Sequence, residues 1–198
     1  MKAYHGSLVD ITDAHLKPNR AFSRPDYTNC VYMSLSYTDA LLYSVNPIKS
    51  FLNKTNRFLD ARAFSAHIDF TQEIPVVYEL YDGMFEELFN VRSFIYECEI
   101  EETQSDHPNQ EIKIEHPVVI VRKIEILNFY QELISKEKAG EIKLIRFDDW
   151  DKSEYNNFIS DKIACRATLI ETEGERIFFR EKFKDCPEVQ FSIQKRAL

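Results

Sequence analysis

The segment "EIKIEHPVVIVRKIEIL" constrains the fold of this chain more than any other. Residues 111–127 combine an alternating apolar pattern with a continuous run of β-branched side chains, which is typical of central strands in a sheet. Pro117 interrupts the segment, and it predicts the start of a strand or a bulge because proline cannot donate to a ladder. "VRSFIYECEIEE" (91–102) also alternates and predicts a half-buried strand. We therefore expect a fold built around a β-sheet.

Shorter elements precede these strands. "KAYHG" (2–6) and "CVYMS" (30–34) predict two strands, and the polar loop between them contains prolines that exclude a continuous helix. "SYTDALLYSV" (36–45) predicts a helix capped by Ser36 or Thr38. The first part of the chain is thus expected to run strand, loop, strand, helix.

Helices dominate our expectation for the remaining chain. Most of Asn56 to Asn90 is predicted to be helical, with interruptions at Pro75 and Gly83. Two further helices are predicted over 129–143, ending near Gly140, and over 148–167. A hairpin turning at Glu173 and Gly174 is predicted within 169–180. The apolar face expected in the first helical stretch consists of Phe58, Leu59, Phe64 and Ile68.

Length and composition predict one globular domain with a small appended lobe. The chain has 198 residues, of which 44% are hydrophobic and 13% aromatic, enough to bury a substantial core. We find no apolar stretch of the roughly 20 residues that span a bilayer, and no secretory apolar run near the N-terminus. The sequence therefore predicts a cytoplasmic protein with no membrane partner. Its oligomeric state is left open.

The spacing of the cysteines and the distribution of charge along the chain restrict the classes of ligand that we expect. Cys30, Cys98, Cys165 and Cys186 lie far apart, so we expect reduced structural thiols and no metal site. The net charge of −8 argues against a protein whose main task is binding a phosphate backbone. Residues 1–62 nevertheless carry eight Lys or Arg against five Asp, a net +3, and the other 136 residues carry −11. A locally basic N-terminal third suits a small anionic ligand such as a dinucleotide.

The sequence "YHGS" combines a histidine and a serine with one of only four glycines. Glycine allows a ligand to approach the backbone closely, and His5 and Ser7 add directional hydrogen-bonding groups beside Gly6. A polar pocket is one interpretation. An edge strand that simply ends in a turn is the other.

The order of these motifs resembles the nicotinamide-binding core of the ADP-ribosyltransferase superfamily. In the branch that includes poly(ADP-ribose) polymerases and rifampin ADP-ribosyltransferases, a His-Gly-Ser or His-Gly-Thr strand precedes a tyrosine-bearing strand. An aromatic residue follows that tyrosine eleven positions later, the spacing of Tyr32 and Tyr43 here. "LKP" (16–18) also resembles the family's L-x-P. The resemblance covers residues 1–127 and not the tail.

The resemblance implies a role for each of these residues. The Gly6 backbone would bind the nicotinamide carboxamide with help from Ser7, and His5 would bind a ribose hydroxyl. Tyr32 and Tyr43 would enclose the planar ring. Because this chain has ten Tyr and fifteen Phe, packing in a core is the alternative role for both tyrosines.

The resemblance also implies a catalytic carboxylate, and two residues fit. The polymerases use a Glu that opens a late strand, for which Glu115 is the positional match. The rifampin type uses an Asp in a preceding loop, which corresponds to Asp106. With 33 acidic residues in the chain, a solvated surface position is the alternative for Glu115.

Two departures from the family pattern bear on specificity. Ala40 stands where the polymerases carry a Ser that also bonds the carboxamide, so this position is more similar to the rifampin type. The stretch between Val45 and Val91 is longer than in the compact rifampin-type enzymes, which leaves the acceptor open among protein, small molecule and nucleic acid.

The sequence therefore predicts an α+β protein with an ADP-ribosyltransferase-like split sheet, a helical insertion and a C-terminal extension. The NAD-binding core is expected at 1–127 and the extension at 128–198. We expect an NAD-dependent enzyme that transfers ADP-ribose and releases nicotinamide. A non-catalytic binding protein with this fold is one alternative. An RNA 2′-phosphotransferase-like enzyme is the other alternative, and the net negative charge of the chain disfavours it.

Overall fold

A computed structural model describes residues 1–20, 29–45, 67–101, 111–164 and 173–194. These residues are of mixed α+β structure and fall into two compact units. The first contains 1–20, 29–45, 70–75, 89–101 and 111–142, and the second contains 67–69, 76–88, 143–164 and 173–194. Both units are discontinuous along the chain, whereas the sequence was divided once between 127 and 128. That division stays a prediction.

Ten strands and six α-helices lie in the described ranges. The strands are β1 (Lys2–Ser7), β2 (His15–Leu16), β3 (Asn19–Arg20), β4 (Asn29–Ser34), β5 (Ile68–Asp69), β6 (Val76–Tyr78), β7 (Ser93–Glu99), β8 (Glu111–Ile114), β9 (Val118–Ile126) and β10 (Lys143–Ile145). The helices are α1 (Tyr37–Ser44), α2 (Met84–Phe89), α3 (Phe129–Lys138), α4 (Lys152–Phe158), α5 (Glu173–Lys182) and α6 (Pro187–Gln194).

The first unit is built on a seven-stranded antiparallel sheet. Its strands follow the order β2-β9-β7-β1-β4-β3, and β8 also pairs with β4. One core cluster joins most of these strands, since Ala3 on β1, Val31 on β4, Tyr96 on β7 and Val118 on β9 all pack in it. The predicted strands at 2–6, 30–34 and 91–102 are confirmed, and Pro117 directly precedes β9 as expected.

Strand β7 is more deeply buried than its alternating sequence predicted. All four residues from Ser93 to Tyr96 are buried, and the half-buried pattern begins only at Glu97. The reason is that β7 lies between β1 and β9 in the sheet. Helix α1 contacts one face of it, and Phe94 and Tyr96 on the other face pack in the core cluster. A central strand with both faces covered does not need to alternate.

Capping residues set the ends of helices α1 and α3. The Ser36 side chain accepts a hydrogen bond from the Asp39 amide at 3.1 Å, which confirms Ser36 as the cap of α1. Asn128 caps α3 in the same way through the Gln131 amide. Gly140 ends α3 with φ of 73°, a conformation that glycine adopts without steric cost.

Helix α1 packs on strand β1 at the position of Gly6. A Cβ atom built there would collide with the Ala40 carbonyl oxygen and would lie 2.8 Å from the Ser44 amide nitrogen. Two residues earlier, the Tyr4 ring meets the Tyr37 ring edge-on at 5.7 Å. Glycine at position 6 therefore allows the helix backbone to rest directly on the strand.

The second unit contains a three-stranded sheet in the order β10-β6-β5. Strand β6 is parallel to β10 and antiparallel to β5. The 3₁₀ turn Phe147–Asp149 and a π-helical turn, Ile159–Ala164, flank α4. None of the helices in the described ranges of either unit combines the length and the apolar character needed to cross a bilayer.

A buried carboxylate organises the second unit. Glu79 is 6% exposed, and its two oxygens accept hydrogen bonds from the amides of Phe85 at 3.1 Å and Phe147 at 2.9 Å. Its carbonyl oxygen accepts from the Trp150 indole at 3.1 Å. Glu79 thus accepts hydrogen bonds from three donors in two other segments, helix α2 and the 3₁₀ turn with the tryptophan that follows it. Burial raises the pKa of Glu79, and the two backbone amides oppose that shift.

Two predictions of secondary structure in the described residues are wrong. The stretch 67–90 was expected to be mostly helical, but it contains β5, β6 and only the six-residue helix α2. The β-branched pair Val76 and Val77 is buried in the middle strand of the sheet, an environment that overrides local helix preference. The helix predicted over 56–66 lies outside the described residues, as do Phe58, Leu59 and Phe64.

The hairpin predicted at Glu173 and Gly174 is instead the start of helix α5. Phe178, Phe179 and Phe183 are buried, and the rings of Phe178 and Phe183 both meet the Tyr81 ring edge-on at 6.1 Å. Phe179 and Phe183, four residues apart, also stack at 5.4 Å, and the Phe183 amide donates to the Phe179 oxygen at 3.0 Å. Burial of these aromatic side chains favours the helix despite the glycine.

Replacing Gly6 by alanine should destabilise the first unit by about 1–3 kcal/mol or more, because the added methyl forces α1 away from β1. The control is Gly140→Ala, whose Cβ would meet nothing within 4 Å and whose cost comes only from its positive φ of 73°, about 1–2 kcal/mol. Chemical denaturation of both variants measures the difference. A smaller loss in Gly6→Ala than in the control would contradict the close packing.

The stability of the second unit should depend on pH through Glu79. Because the folded-state pKa is raised, this carboxyl contributes stability below its unfolded pKa and loses that contribution as pH rises through the folded pKa. The free energy of unfolding of the wild type relative to Glu79→Gln should therefore fall as pH rises from the acid side. The measurement is urea denaturation of both proteins at a series of pH values that begins below the unfolded pKa of a glutamate and ends above the folded pKa of Glu79. A difference that grows with pH would contradict the assigned shift.

Candidate functional site

Strands β1 and β4 part soon after they meet. β1 pairs with β7 along its whole length, from Lys2 opposite Glu99 to Ser7 opposite Phe94. With β4 it pairs only at Tyr4 opposite Ser34, although both strands are described in full. A gap therefore opens between the two strands from His5 onward, inside an otherwise continuous sheet.

The His5 side chain bridges this gap. Its Nδ1 atom lies 2.7 Å from the backbone oxygen of Tyr32. A carbonyl oxygen only accepts hydrogen bonds, so Nδ1 must carry the proton. In the neutral ring, Nε2 is then the acceptor, and the bond to Tyr32 holds both the tautomer and the ring orientation.

The Gly6 backbone faces the same gap. The Met1 amino group donates to the Ile100 oxygen at 2.6 Å, and the Ile100 amide donates to the Met1 oxygen at 2.8 Å. In an antiparallel ladder the direction of the amide groups alternates from residue to residue. Odd-numbered residues of β1 therefore turn their amide groups toward β7, and even-numbered residues turn theirs toward β4. The N–H and C=O of Gly6 point into the gap.

Helix α1 and Tyr32 lie on one face of the sheet. Tyr4 and Ser34 are direct neighbours, so their side chains share a face. Tyr32 lies on that face too, two residues before Ser34. Helix α1 covers the same face, because its Tyr37 contacts Tyr4. His5 and Ser7 lie on the opposite face, where the His5 ring approaches the Tyr96 ring at 6.3 Å.

Two tyrosines flank this arrangement. Tyr32 is half-buried on β4, and Lys113 Nζ lies 5.9 Å from its ring centroid. Tyr43 is 40% exposed on the last turn of α1, and its ring stacks on Phe70 at 4.9 Å with an interplanar angle of 19°. The stacking fixes the plane of a partly exposed ring.

The loop after β1 is also held in place. The Tyr96 hydroxyl donates to the Val9 oxygen at 3.0 Å and accepts from the Ile11 amide at 2.6 Å. Burial raises the pKa of Tyr96, so the hydroxyl stays protonated and able to donate. Ser7 Oγ accepts from the Val9 amide at 3.0 Å. Ser7 therefore supports the loop at the open end of the gap.

Strand β8 adds two charged residues to the face that carries Tyr32. Glu111 lies opposite Ser34 and Lys113 lies opposite Tyr32, and side chains of directly opposite residues share a face. Glu111 is buried, with 6% of its surface exposed, whereas Lys113 is exposed. A buried carboxylate therefore lies beside the pair at which β1 and β4 join.

Asp39 is a further acid on this side of the sheet. It lies in the first turn of α1 and is half-buried. Burial raises the pKa of Asp39, and hydrogen bonds with the Ser36 and Ser34 side chains oppose that shift. The Asp39 side chain is thus tied to the turn that joins β4 to α1.

Of the two predicted acids, the described residues include only Glu115. Glu115 is exposed in the turn between β8 and β9, while Asp106 lies outside the described residues. The structure thus brings His5, Gly6 and Tyr32 together at the gap, with Tyr43 on the adjacent helix, and it leaves Glu115 at the surface.

Glu111 is the residue that sequence reasoning missed. It opens strand β8, but the alternation of Ile112 and Ile114 with Glu111 and Lys113 gave no sign that Glu111 is buried. Only the pairing of β8 with β4, nearly eighty residues earlier in the chain, identifies it. A search for every Glu that opens a predicted strand, and not only for one before "HPVVIV", would have included it.

Within the described ranges, no three His, Cys, Asp or Glu side chains are grouped so that they could hold a metal ion. Cys30 and Cys98 are buried thiols, and burial raises the pKa of Cys98 to about 12, which suits a structural thiol and not a nucleophile. Comparisons of the chain with protein-family models, with curated proteins and with solved structures found no match.

Proposed function

We propose that this protein is an NAD-dependent ADP-ribosyltransferase that releases nicotinamide and transfers ADP-ribose to an acceptor, in the cytoplasm. The observation that carries the proposal is the gap between β1 and β4 with the Gly6 amide groups directed into it. An ADP-ribosyltransferase-like split sheet is the fold that the proposal implies. The chemistry of the acceptor is left open.

Nicotinamide matches the groups at this gap. Its carboxamide has an N–H donor and a carbonyl acceptor, which complement the C=O and N–H of Gly6. Its planar ring suits the aromatic faces of Tyr32 on the strand and Tyr43 on the helix. Stacking of Tyr43 on Phe70 reduces the conformational entropy that the ring would lose when the ligand binds.

The ribose matches His5. With the proton held on Nδ1 by the Tyr32 oxygen, Nε2 of the neutral ring accepts a hydrogen bond from a ribose hydroxyl. The hydrogen bond to Tyr32 also orients the imidazole before the ligand arrives. Such preorganisation places the ribose without further loss of side-chain freedom.

The reaction itself needs little covalent help from the protein. The bond between the ribose carbon and the ring nitrogen breaks, and its electron pair leaves with nicotinamide. The ribose then carries positive charge until the nucleophile of the acceptor donates an electron pair to the same carbon. Catalysis therefore depends on holding both halves of NAD and on a carboxylate near the ribose. Glu115 and Asp106 are the acids expected from sequence, and Glu111 is the buried one on the Tyr32 face.

Incubation of the protein with NAD should release free nicotinamide, measured by proton NMR or chromatography. In His5→Ala this rate should fall by about two orders of magnitude, because the ribose loses its hydrogen-bond partner. The loss of one half-buried hydrogen bond should cost only about 1 kcal/mol of stability.

His15→Ala is the matched control, since His15 is an exposed histidine on β2, and it should keep the wild-type rate. A wild-type protein that releases no nicotinamide, with or without cell lysate as a source of acceptors, would refute the proposed function. A large drop in the melting temperature of His5→Ala would instead indicate that His5 serves packing.

A further inference from the structure

Strand β9 has the composition of a central strand but lies near one edge of the described sheet. Its sequence "VVIVRKIEI" contains the β-branched run that predicts an interior position. On one side, β9 pairs with β7 from Ile120 to Ile126. On the other side, the described residues provide only β2, which pairs at Val118 and Val119. The outer edge of 121–126 therefore has no partner strand among the described residues.

The register of the sheet turns the backbone groups of two β9 residues toward this open edge. Odd-numbered residues of β1 bond to even-numbered residues of β7, so the odd-numbered residues of β7 direct their amide groups toward β9. There they face Arg122, Ile124 and Ile126. The intervening Lys123 and Glu125 therefore direct their N–H and C=O groups away from β7, toward the open edge.

Apolar side chains are also exposed along β9. Eight large hydrophobic residues are exposed in the described part of the chain, and three of them lie on β9 or directly after it. These are Val119, Val121 and Leu127, which are 54%, 55% and 75% exposed. Exposed apolar residues that are concentrated on one element mark an interaction surface. An open strand edge beside them is a template for pairing with another chain.

We propose that two copies of this chain pair through the outer edges of their β9 strands, antiparallel and related by a two-fold axis beside Ile124. The sheet of one copy then continues into the sheet of the second, and β9 becomes the central strand that its composition predicts. This inference is independent of the proposed function, because no residue at the gap between β1 and β4 takes part in the pairing.

Charge selects the register of this pairing. A two-fold axis beside Lys123 places lysine opposite lysine, and an axis beside Glu125 places glutamate opposite glutamate. Like charges directly opposite each other are destabilising. With the axis beside Ile124, each Lys123 lies opposite Glu125 of the second copy, and the two Ile124 side chains form an apolar pair at the centre. In this register the edge of β9 is complementary to itself.

Lys123 and Glu125 have partners within the chain that are compatible with this pairing. Lys123 forms an ion pair with Asp10 at 2.8 Å and Glu125 with Arg92 at 3.0 Å, yet the side chains of Lys123 and Glu125 each remain 41% exposed. An ammonium group donates three hydrogen bonds and a carboxylate accepts several, so each group can add a contact across the interface. Because exposed ion pairs are weak, the charges determine the register, while backbone hydrogen bonds and apolar contacts hold the copies together.

The test is sedimentation velocity of the full chain from about 1 µM to about 1 mM, the range of affinity that suits a small interface. The wild type should change from monomer to dimer within this range. Lys123→Glu and Glu125→Lys should each raise the dissociation constant by about tenfold or more, because like charges then lie opposite each other twice in the dimer. The variant with both swaps should associate within about threefold of the wild type, because the opposite charges are restored.

Asp10→Ala and Arg92→Ala are the matched controls. They remove the ion pairs within one copy but leave the charges of β9 unchanged, so both should dimerise like the wild type. A wild type that stays monomeric throughout the range overturns the proposal. Single swaps that dimerise like the wild type, or a double swap that does not restore association, overturn it as well.

Amide hydrogen exchange of the wild type tests the same pairing without a substitution. The amides of Ile124 and Ile126, which face β7, should be protected at every concentration. Those of Lys123 and Glu125 should gain about tenfold protection only as the dimer forms. Protection of these two amides in the monomer would show that the edge pairs with a segment of the same chain. Free exchange of both in a dimer would show that the copies associate through another surface, and either result overturns the proposal.

Discussion

The contact between helix α1 and strand β1 at Gly6 is the constraint on which the rest of the candidate site depends. The chain leaves β4 at Ser34 and begins α1 at Tyr37, with Ser36 as the cap. After this short connection the helix packs on the neighbouring strand β1, where it contacts Tyr4 and Gly6. Only a residue without a Cβ allows that approach, so the glycine is needed for the fold whether or not a ligand binds.

The same glycine also faces the gap. Its missing side chain lies under the helix, but its amide groups lie in the plane of the sheet and point toward β4. The two roles use different directions from one residue and do not compete. The pocket interpretation of "YHGS" is therefore compatible with this packing, although the packing alone is sufficient to explain why residue 6 is glycine. The other interpretation, an edge strand that ends in a turn, is wrong, because β1 lies between β7 and β4 in the sheet.

The sequence predicted local features well where a short pattern determines them. Ser36 caps α1, Gly140 ends α3, and Pro117 precedes β9 as expected. The prediction of secondary structure failed where burial of side chains determines it. Gly174 is an example, since it lies in a helix because Phe178 and Phe183 pack on Tyr81.

The candidate site divides in the same way. His5, Gly6 and Tyr32 belong to short sequence motifs, and the sequence predicted them from those motifs. Glu111 carries no local signal, because its burial and its place beside Ser34 arise from pairing between strands far apart in the chain. Acidic residues are also so frequent here, 33 in 198, that position along the sequence alone does not single one out.

The most direct test of the account is whether the Gly6 amide binds a carboxamide. In ¹⁵N-labelled protein titrated with nicotinamide, the Gly6 amide resonance should show one of the largest shifts, together with residues around Tyr32. Nicotinic acid should bind more weakly, because it lacks the amide N–H that would donate a hydrogen bond to the Gly6 carbonyl oxygen. Saturating nicotinamide that leaves the Gly6 resonance unmoved would contradict the account.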